Sequence, residues 1–250
     1  MTSGALTNLV EESCAMTNRL INVSRVRSVA EATALEGLGV DLIGVAVDPD
    51  PRFDDDRTVT VEEAAAIGAR LGRATLIVTL RLGDVAPALR VLGATGARLV
   101  EPVAATIPQA KVRSALREAG VGIVYAGIEI SHDDDPSWVF SRYADIPDLN
   151  ATYFHADVLP EYRDSWAFLR DRSPEYPDEF QIGDLEELAT TYPMLVGLDF
   201  TPDNIQEIVA GVPSARGLAI TLADRATRGD ARFHTYAEAV RAIEGLDIRA

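Results

Sequence analysis

Leu20-Ile21-Asn22-Val23-Ser24 leads through Val29-Ala30-Glu31-Ala32-Thr33-Ala34-Leu35 to Gly39-Val40-Asp41-Leu42-Ile43-Gly44-Val45-Ala46-Val47. A short β-branched apolar run, a stretch with helical periodicity and a second apolar run form one unit of strand, helix and strand. The unit then repeats. Further strand-like runs fall at Thr75 to Leu80, Arg98 to Glu101, Gly122 to Ile130, Thr152 to Ala156, Met194 to Asp199 and Gly217 to Leu222. Eight strands alternating with helices are the signature of parallel βα units, and eight such units close into a (β/α)8 barrel, the TIM barrel architecture.

The chain of 250 residues has the usual size of one such barrel, and no linker rich in Pro, Gly or Ser divides it, so residues 1–250 are read as a single domain. Helix starts are marked by Thr60 before Val61-Glu62-Glu63, and by Thr201-Pro202-Asp203 with Pro at the first helical position. Two regions depart from the regular spacing. Residues 1–18 precede the first strand and are expected to form an extra helix at the barrel bottom. Residues 157–183 form a long loop after the sixth strand, rich in aromatics such as Trp166 and Phe180, with a helix expected over Asp164 to Arg172. That insertion is either a lid or a structural element packed on the rim.

Hydrophobic residues make up 47% of the chain and charged residues 25%, enough apolar material for a large core. A net charge of −16 opposes binding to nucleic acid or to an anionic membrane surface. Glu11 and Glu12 interrupt the N-terminal segment where a signal peptide is apolar, and Cys14 is the single cysteine. The expectation is a cytoplasmic protein with no disulfide framework, no membrane partner and no nucleic-acid partner. A homodimer is compatible with this reading.

Active sites of such barrels lie at the C-terminal strand ends. There the sequence places Ser24, Asp48, Arg52, Glu101, Glu129, His132, His155, Asp157, Asp199 and Asp224. Carboxylates in this number can hold a divalent cation, bind a cationic or polyhydroxyl substrate, or serve as acid and base. No spacing identifies a metal ligand set, and no cofactor is implied. His155 and Asp157, two apart on a strand, share one face and point into the barrel mouth if the strand extends that far. His155 is the leading general acid or base because imidazole titrates near physiological pH. His132 precedes Asp133-Asp134-Asp135-Pro136, read as a polar loop that starts a helix, and His234 is read as a surface residue in the first turn of the last helix.

Asn22-Val23-Ser24-Arg25, Glu31-Ala32, Gly39-Val40-Asp41 to Gly44-Val45, Asp50-Pro51-Arg52 and Glu62-Glu63-Ala64 are similar to the opening of phosphoribosylanthranilate isomerases. Phe200-Thr201-Pro202-Asp203-Asn204-Ile205 resembles that family's segment after strand seven. The resemblance covers about two thirds of the chain and is strongest over residues 20–70. It implies the barrel fold, a small-molecule substrate and an arginine, Arg52, that contacts a substrate carboxylate; the residues alone leave open that Arg52 instead pairs with Asp48, Asp50 or the Asp54-Asp55-Asp56 run.

The family's chemical signatures are not retained. Its catalytic cysteine corresponds to Ser24, its neighbouring lysine to Asn22 and its glycine to Arg25, while its strand-six aspartate aligns with His155. Its phosphate-binding glycine turns correspond to Gly197-Leu198-Asp199-Phe200 and to Thr221-Leu222-Ala223-Asp224-Arg225. Asp199 puts a negative charge where a phosphate would sit, although Arg225 or Arg228 leaves room for a relocated site.

The resulting expectation is a divergent isomerase-type acid-base enzyme for a small polar metabolite other than phosphoribosylanthranilate, in specialised metabolism. Its catalytic candidates are His155, Asp157 and Ser24, and its substrate-binding candidates are Arg52, Asp48, Glu101, Glu129, Asp199 and Thr221. One alternative is a non-catalytic ligand-binding or structural barrel, favoured if Trp166 or Phe180 plugs the mouth. Another is a metal-dependent sugar isomerase or epimerase, since His155-Ala156-Asp157-Val158 is similar to a strand end of ribulose-phosphate epimerases, which follows strand two there.

Overall fold

The computed structural model describes residues 19–53, 57–224 and 233–246. The expected N-terminal helix, Cys14, the Asp54-Asp55-Asp56 run, Arg225 and Arg228 lie outside the described residues.

The strands are β1 (Leu20–Ser24), β2 (Leu42–Ala46), β3 (Thr75–Leu80), β4 (Leu99–Pro102), β5 (Gly122–Ile130), β6 (Ala151–Val158), β7 (Met194–Gly197) and β8 (Gly217–Leu222). Each pairs in parallel with the next, and β1 pairs with β8 from Leu20↔Gly217 to Ser24↔Thr221, which closes the barrel. The helices between them are α1 (Val29–Gly37), α2 (Val61–Arg70), α3 (Val85–Thr95), α4 (Ala110–Glu118), α5 (Pro136–Val139), α6 (Ser141–Ala144), α7 (Ser165–Ala167), α8 (Ile182–Thr191) and α9 (Ile205–Gly211). α10 (Tyr236–Glu244) follows a two-residue strand, β9 (Phe233–His234), which pairs with the end of β8.

Local sequence explains the element starts. Thr60 caps α2 through a capping box with Glu63, and the Asp135 side chain accepts the Ser137 N–H at the start of α5. At α9 the expectation needs correction. Thr201 and Asn204 bond reciprocally in a turn, and the helix begins at Ile205, so Pro202 precedes it rather than opening it. A second correction concerns His234. It lies on β9, is buried, and its ring Nε2 sits 2.9 Å from the Phe200 carbonyl oxygen, so it is no surface residue.

Two apolar layers form. The larger packs helices against the outer face of the barrel, and the smaller fills its interior with Leu42, Ile77, Leu99, Val124, Leu195 and Ala219. Side chains alternate along a strand, so residues two positions beyond these interior ones point inward one layer higher. Thr79 follows Ile77, Glu101 follows Leu99 and Thr221 follows Ala219. The interior is therefore apolar below and polar at the C-terminal mouth.

The insertion after β6 is ordered. Beyond α7 it holds one π-helical turn over Phe168–Arg172 and a 3-10 turn over Ser173–Glu175. Trp166 and Phe180 are buried within its packing, with the Trp166 ring against Gly211 of α9.

Candidate active site

A cavity of about 310 Å³ opens at the barrel mouth. β1, β3, β4, β6 and β8 supply Ser24, Thr79, Glu101, His155, Asp157 and Thr221, and β5 supplies Glu129 from its exposed end. The loop after β2 folds over the same cavity, pinned by a parallel bridge between Thr58 and Ala46, and contributes Asp50, Arg52 and Phe53. Neither Trp166 nor Phe180 lines it.

β6 runs through Val158, two residues past the expected end, which brings both His155 and Asp157 to the inward face. His155 is 4% exposed, and its Nε2 lies 3.3 Å from Asp157 Oδ1. The two are misaligned for a hydrogen bond, and Nε2 has no hydrogen-bond partner. A buried polar atom left unbonded costs about 1–3 kcal/mol, and such atoms concentrate where a ligand completes the set. Gly197 of β7 makes room for the pair, since a Cβ there would stand 2.5 Å from Asp157 Oδ1 and 3.3 Å from His155 Nε2.

Arg52 is held by acids of the protein itself. Its Nε and Nη2 donate to the Asp50 carboxylate, and Nη2 also donates to Glu101 Oε1 at 2.9 Å. Burial acts to lower the Arg52 pKa, but Asp50 and Glu101 outweigh it and hold the guanidinium above its ordinary value. Burial likewise acts to raise Asp50, and Arg52 overrides it and keeps that carboxyl below its usual range. Nη1 packs on Gly127, whose φ of +74° sits at an irregularity of β5. A Cβ at that position would come within 2.6 Å of Nη1. The expected substrate-carboxylate arginine thus already carries two carboxylates.

The opposite side of the mouth is closed by mutual contacts. Ser24 Oγ donates to Thr221 Oγ1 at 3.2 Å. Arg25, left-handed at φ +64°, donates from Nη1 to the Leu222 carbonyl and lies 3.9 Å above the Phe53 ring. Arg57, 2% exposed, donates to the Arg25 carbonyl, to Glu31 and to Asp224, and Arg27 donates to Asp224 from outside. Asp224 therefore belongs to an ion-pair network tying β8 to α1 and the β2 loop.

Two substrate-binding candidates lie away from the cavity, because other groups claim them. Asp48 Oδ2 accepts the Arg81 N–H, and Asp199 Oδ1 accepts the Ser165 hydroxyl and the Trp166 N–H. Burial raises the Asp199 pKa against those bonds. His132 contacts Glu161 at 3.2 Å and donates its backbone N–H to the same oxygen, fastening the insertion to the β5 loop. Among the described residues no three His, Cys, Asp or Glu side chains gather as a group able to hold a metal.

Of the other lining residues, Asp50 was read in the sequence as part of Asp50-Pro51-Arg52, and Phe53, Thr79 and Phe233 were not read. Asp50 and Phe53 flank Arg52, and Phe233 meets Phe53 edge-on at 5.5 Å. Arg57 carried one signal, a lone basic residue directly after three aspartates.

No protein-family model matches the chain, and no curated protein matches it. Solved structures do. The phosphoribosylanthranilate isomerase of Pyrococcus furiosus matches with a TM-score of 0.63 at 14% identity, over 91% of this chain and 98% of that one. The enzyme of the same name from Thermus thermophilus matches at 0.59 and 16%, over 90% and 97%. Tryptophan synthase of M. tuberculosis matches at 0.56 and 18%, over 97% and 98%. At these identities the likeness is one of fold, shared by proteins of two different names, and the reaction has to be argued from the site. The chain has the barrel fold of the phosphoribosylanthranilate isomerases.

Proposed function

We propose that the protein is an isomerase-type acid-base enzyme acting on a small polar metabolite other than phosphoribosylanthranilate. The observation that carries this reading is His155 Nε2, buried, unbonded and beside Asp157 in the polar cavity. An imidazole there can take a proton from one carbon or oxygen of a substrate and return it to another. Asp157 Oδ1 stands 3.3 Å from that ring nitrogen. Ser24, with its hydroxyl bonded to Thr221, serves as a polar wall and not as a base. Arg52 holds Glu101 and the β2 loop in place around the substrate.

The non-catalytic alternative was tied to a mouth plugged by Trp166 or Phe180, and both side chains pack elsewhere. The metal-dependent alternative finds no donor group among the described residues. We further place the protein in the cytoplasm, in keeping with its single cysteine. A role in specialised metabolism fits the departures at Ser24, Arg25 and Asp199 from the related family's pattern.

The test is proton exchange. The protein is incubated in D2O with a panel of small aldoses, ketoses and their amino derivatives, and deuterium uptake or conversion is read by NMR. Exchange that disappears in His155→Ala is expected. Exchange that persists at full rate in that variant, or no exchange with any member of the panel, contradicts the proposal.

A further inference from the structure

β5 and β6 fall out of step beside the cavity. Tyr125 pairs with Phe154 and Ile128 with Ala156, so Ala126 and Gly127 together stand opposite His155. This is a β-bulge, an extra residue on one strand that re-aims the side chains beyond it. Val124 points into the barrel, and counting by twos from it would send Ile128 and Ile130 inward and Glu129 outward. The reverse is found. Ile128 and Ile130 are buried in the outer layer, at 5% and 0% exposure, and Glu129 lines the cavity with Ala126 and Gly127.

Gly127 is what permits the extra residue there. Its φ of +74° lies in the left-handed region, which glycine enters as readily as the right-handed one. It also lies against Arg52: an added Cβ would meet Nη1 at 2.6 Å and the Ala105 Cβ at 2.9 Å. The residue that turns Glu129 inward therefore also seats the guanidinium that Asp50 and Glu101 hold. Beyond the bulge Glu129 is the register partner of Asp157, whose Oδ1 is 3.3 Å from the buried, unbonded Nε2 of His155.

We infer that Gly127 is a positioning residue of the active site, acting through Glu129, which contacts the substrate bound at His155. This rests on the acid-base reading above. Glu129 needs only its direction for the role, and keeps it while hydrogen-bonded within the protein.

Two measurements test it. In the first, pairs of cysteines are introduced in a Cys14→Ser background, which removes the single native thiol, and the full chain is oxidised mildly. Register partners lie about 4.8 Å apart, within the span of a disulfide, so Glu129→Cys with Asp157→Cys is expected to cross-link and Ile128→Cys with Asp157→Cys is not. Failure of the first pair, or cross-linking of the second in its place, overturns the inference whatever the reaction proves to be. In the second, kinetics are measured on the compound whose exchange depends on His155. Gly127→Ala and Glu129→Gln are each expected to lower kcat/KM at least about tenfold, with cooperative thermal unfolding as the check on folding. Since the glycine acts through the glutamate, the double variant should lose clearly less than the product of the two single losses. Cross-linking and Glu129→Gln decide the matter if Gly127→Ala does not fold. An unchanged kcat/KM in Glu129→Gln, or losses that multiply in the double variant, overturn this inference alone. Absence of His155-dependent exchange with every compound overturns the acid-base reading and the inference with it.

Discussion

Two arcs of the same barrel rim are built from the same units and end in opposite conditions. From β7 round to β1, polar groups are spent on one another: Asp224 on Arg27 and Arg57, Asp199 on the start of α7, Ser24 on Thr221, Arg25 on Leu222. From β4 to β6 the rim turns Glu101, Glu129, Asp157 and a histidine atom with its bond unmade toward the cavity that both arcs line. Where side chains satisfy each other the rim is structure. Asn22 Oδ1, Tyr143 OH and Trp166 Nε1 are also buried and unbonded but line no part of the cavity, whereas His155 Nε2 does.

The sharpest way to break this comparison is to alter one residue in each arc. His155→Ala should lower turnover of the reaction found in the exchange screen by about 10²- to 10⁴-fold, the usual contribution of a proton-transfer group, with little loss of stability. Arg57→Ala should do the reverse. It leaves Glu31 and Asp224 without their buried cation and should cost about 3–5 kcal/mol in chemical denaturation. If Arg57→Ala unfolds like the wild type, the closed arc is not held together as described.

Gly197→Ala sharpens the boundary between the arcs. The added methyl meets Asp157 Oδ1 at 2.5 Å, so the carboxylate must move. We expect a loss of about 1–3 kcal/mol by overpacking, together with a fall in turnover, since the displaced group is the partner of His155. An unchanged rate would separate Asp157 from catalysis.

The smallest effect belongs to Asp199. Its folded-state pKa is raised, chiefly by burial, so the unfolded chain releases the proton first. This contribution to stability is therefore present at acid pH and is lost as pH climbs from about 3.9, the unfolded value, through the raised folded value. Asp199→Asn should flatten that slope in denaturation series at several pH values, whereas Asp199→Ala strands the Ser165 hydroxyl and the Trp166 N–H at a cost of about 1–3 kcal/mol. A steeper slope in Asp199→Asn would reverse the assignment.

How far the sequence revealed the molecule follows the same division. The strand runs and the capped start of α2 were legible because burial and capping act on neighbouring residues. His155 and Asp157 could be paired from the two-residue period of a strand alone. The fate of Asp48, Asp199 and Asp224 was not legible, because their partners Arg81, Trp166 and Arg57 lie 33, 33 and 167 positions away. A carboxylate at a strand end reads the same whether it awaits a substrate or caps a helix. His234 was misread for a related reason: β9 exists only by pairing with β8, and two residues carry no periodicity.

The most direct measurement is the reaction of the purified chain with phosphoribosylanthranilate, followed by the change in substrate fluorescence. The account predicts no turnover above the spontaneous rate, because Ser24 stands where the isomerases carry their base and Arg52 is already paired with Asp50 and Glu101. Turnover abolished by His155→Ala would contradict it, for the cavity would then process the substrate that Ser24 and the paired Arg52 are described as refusing.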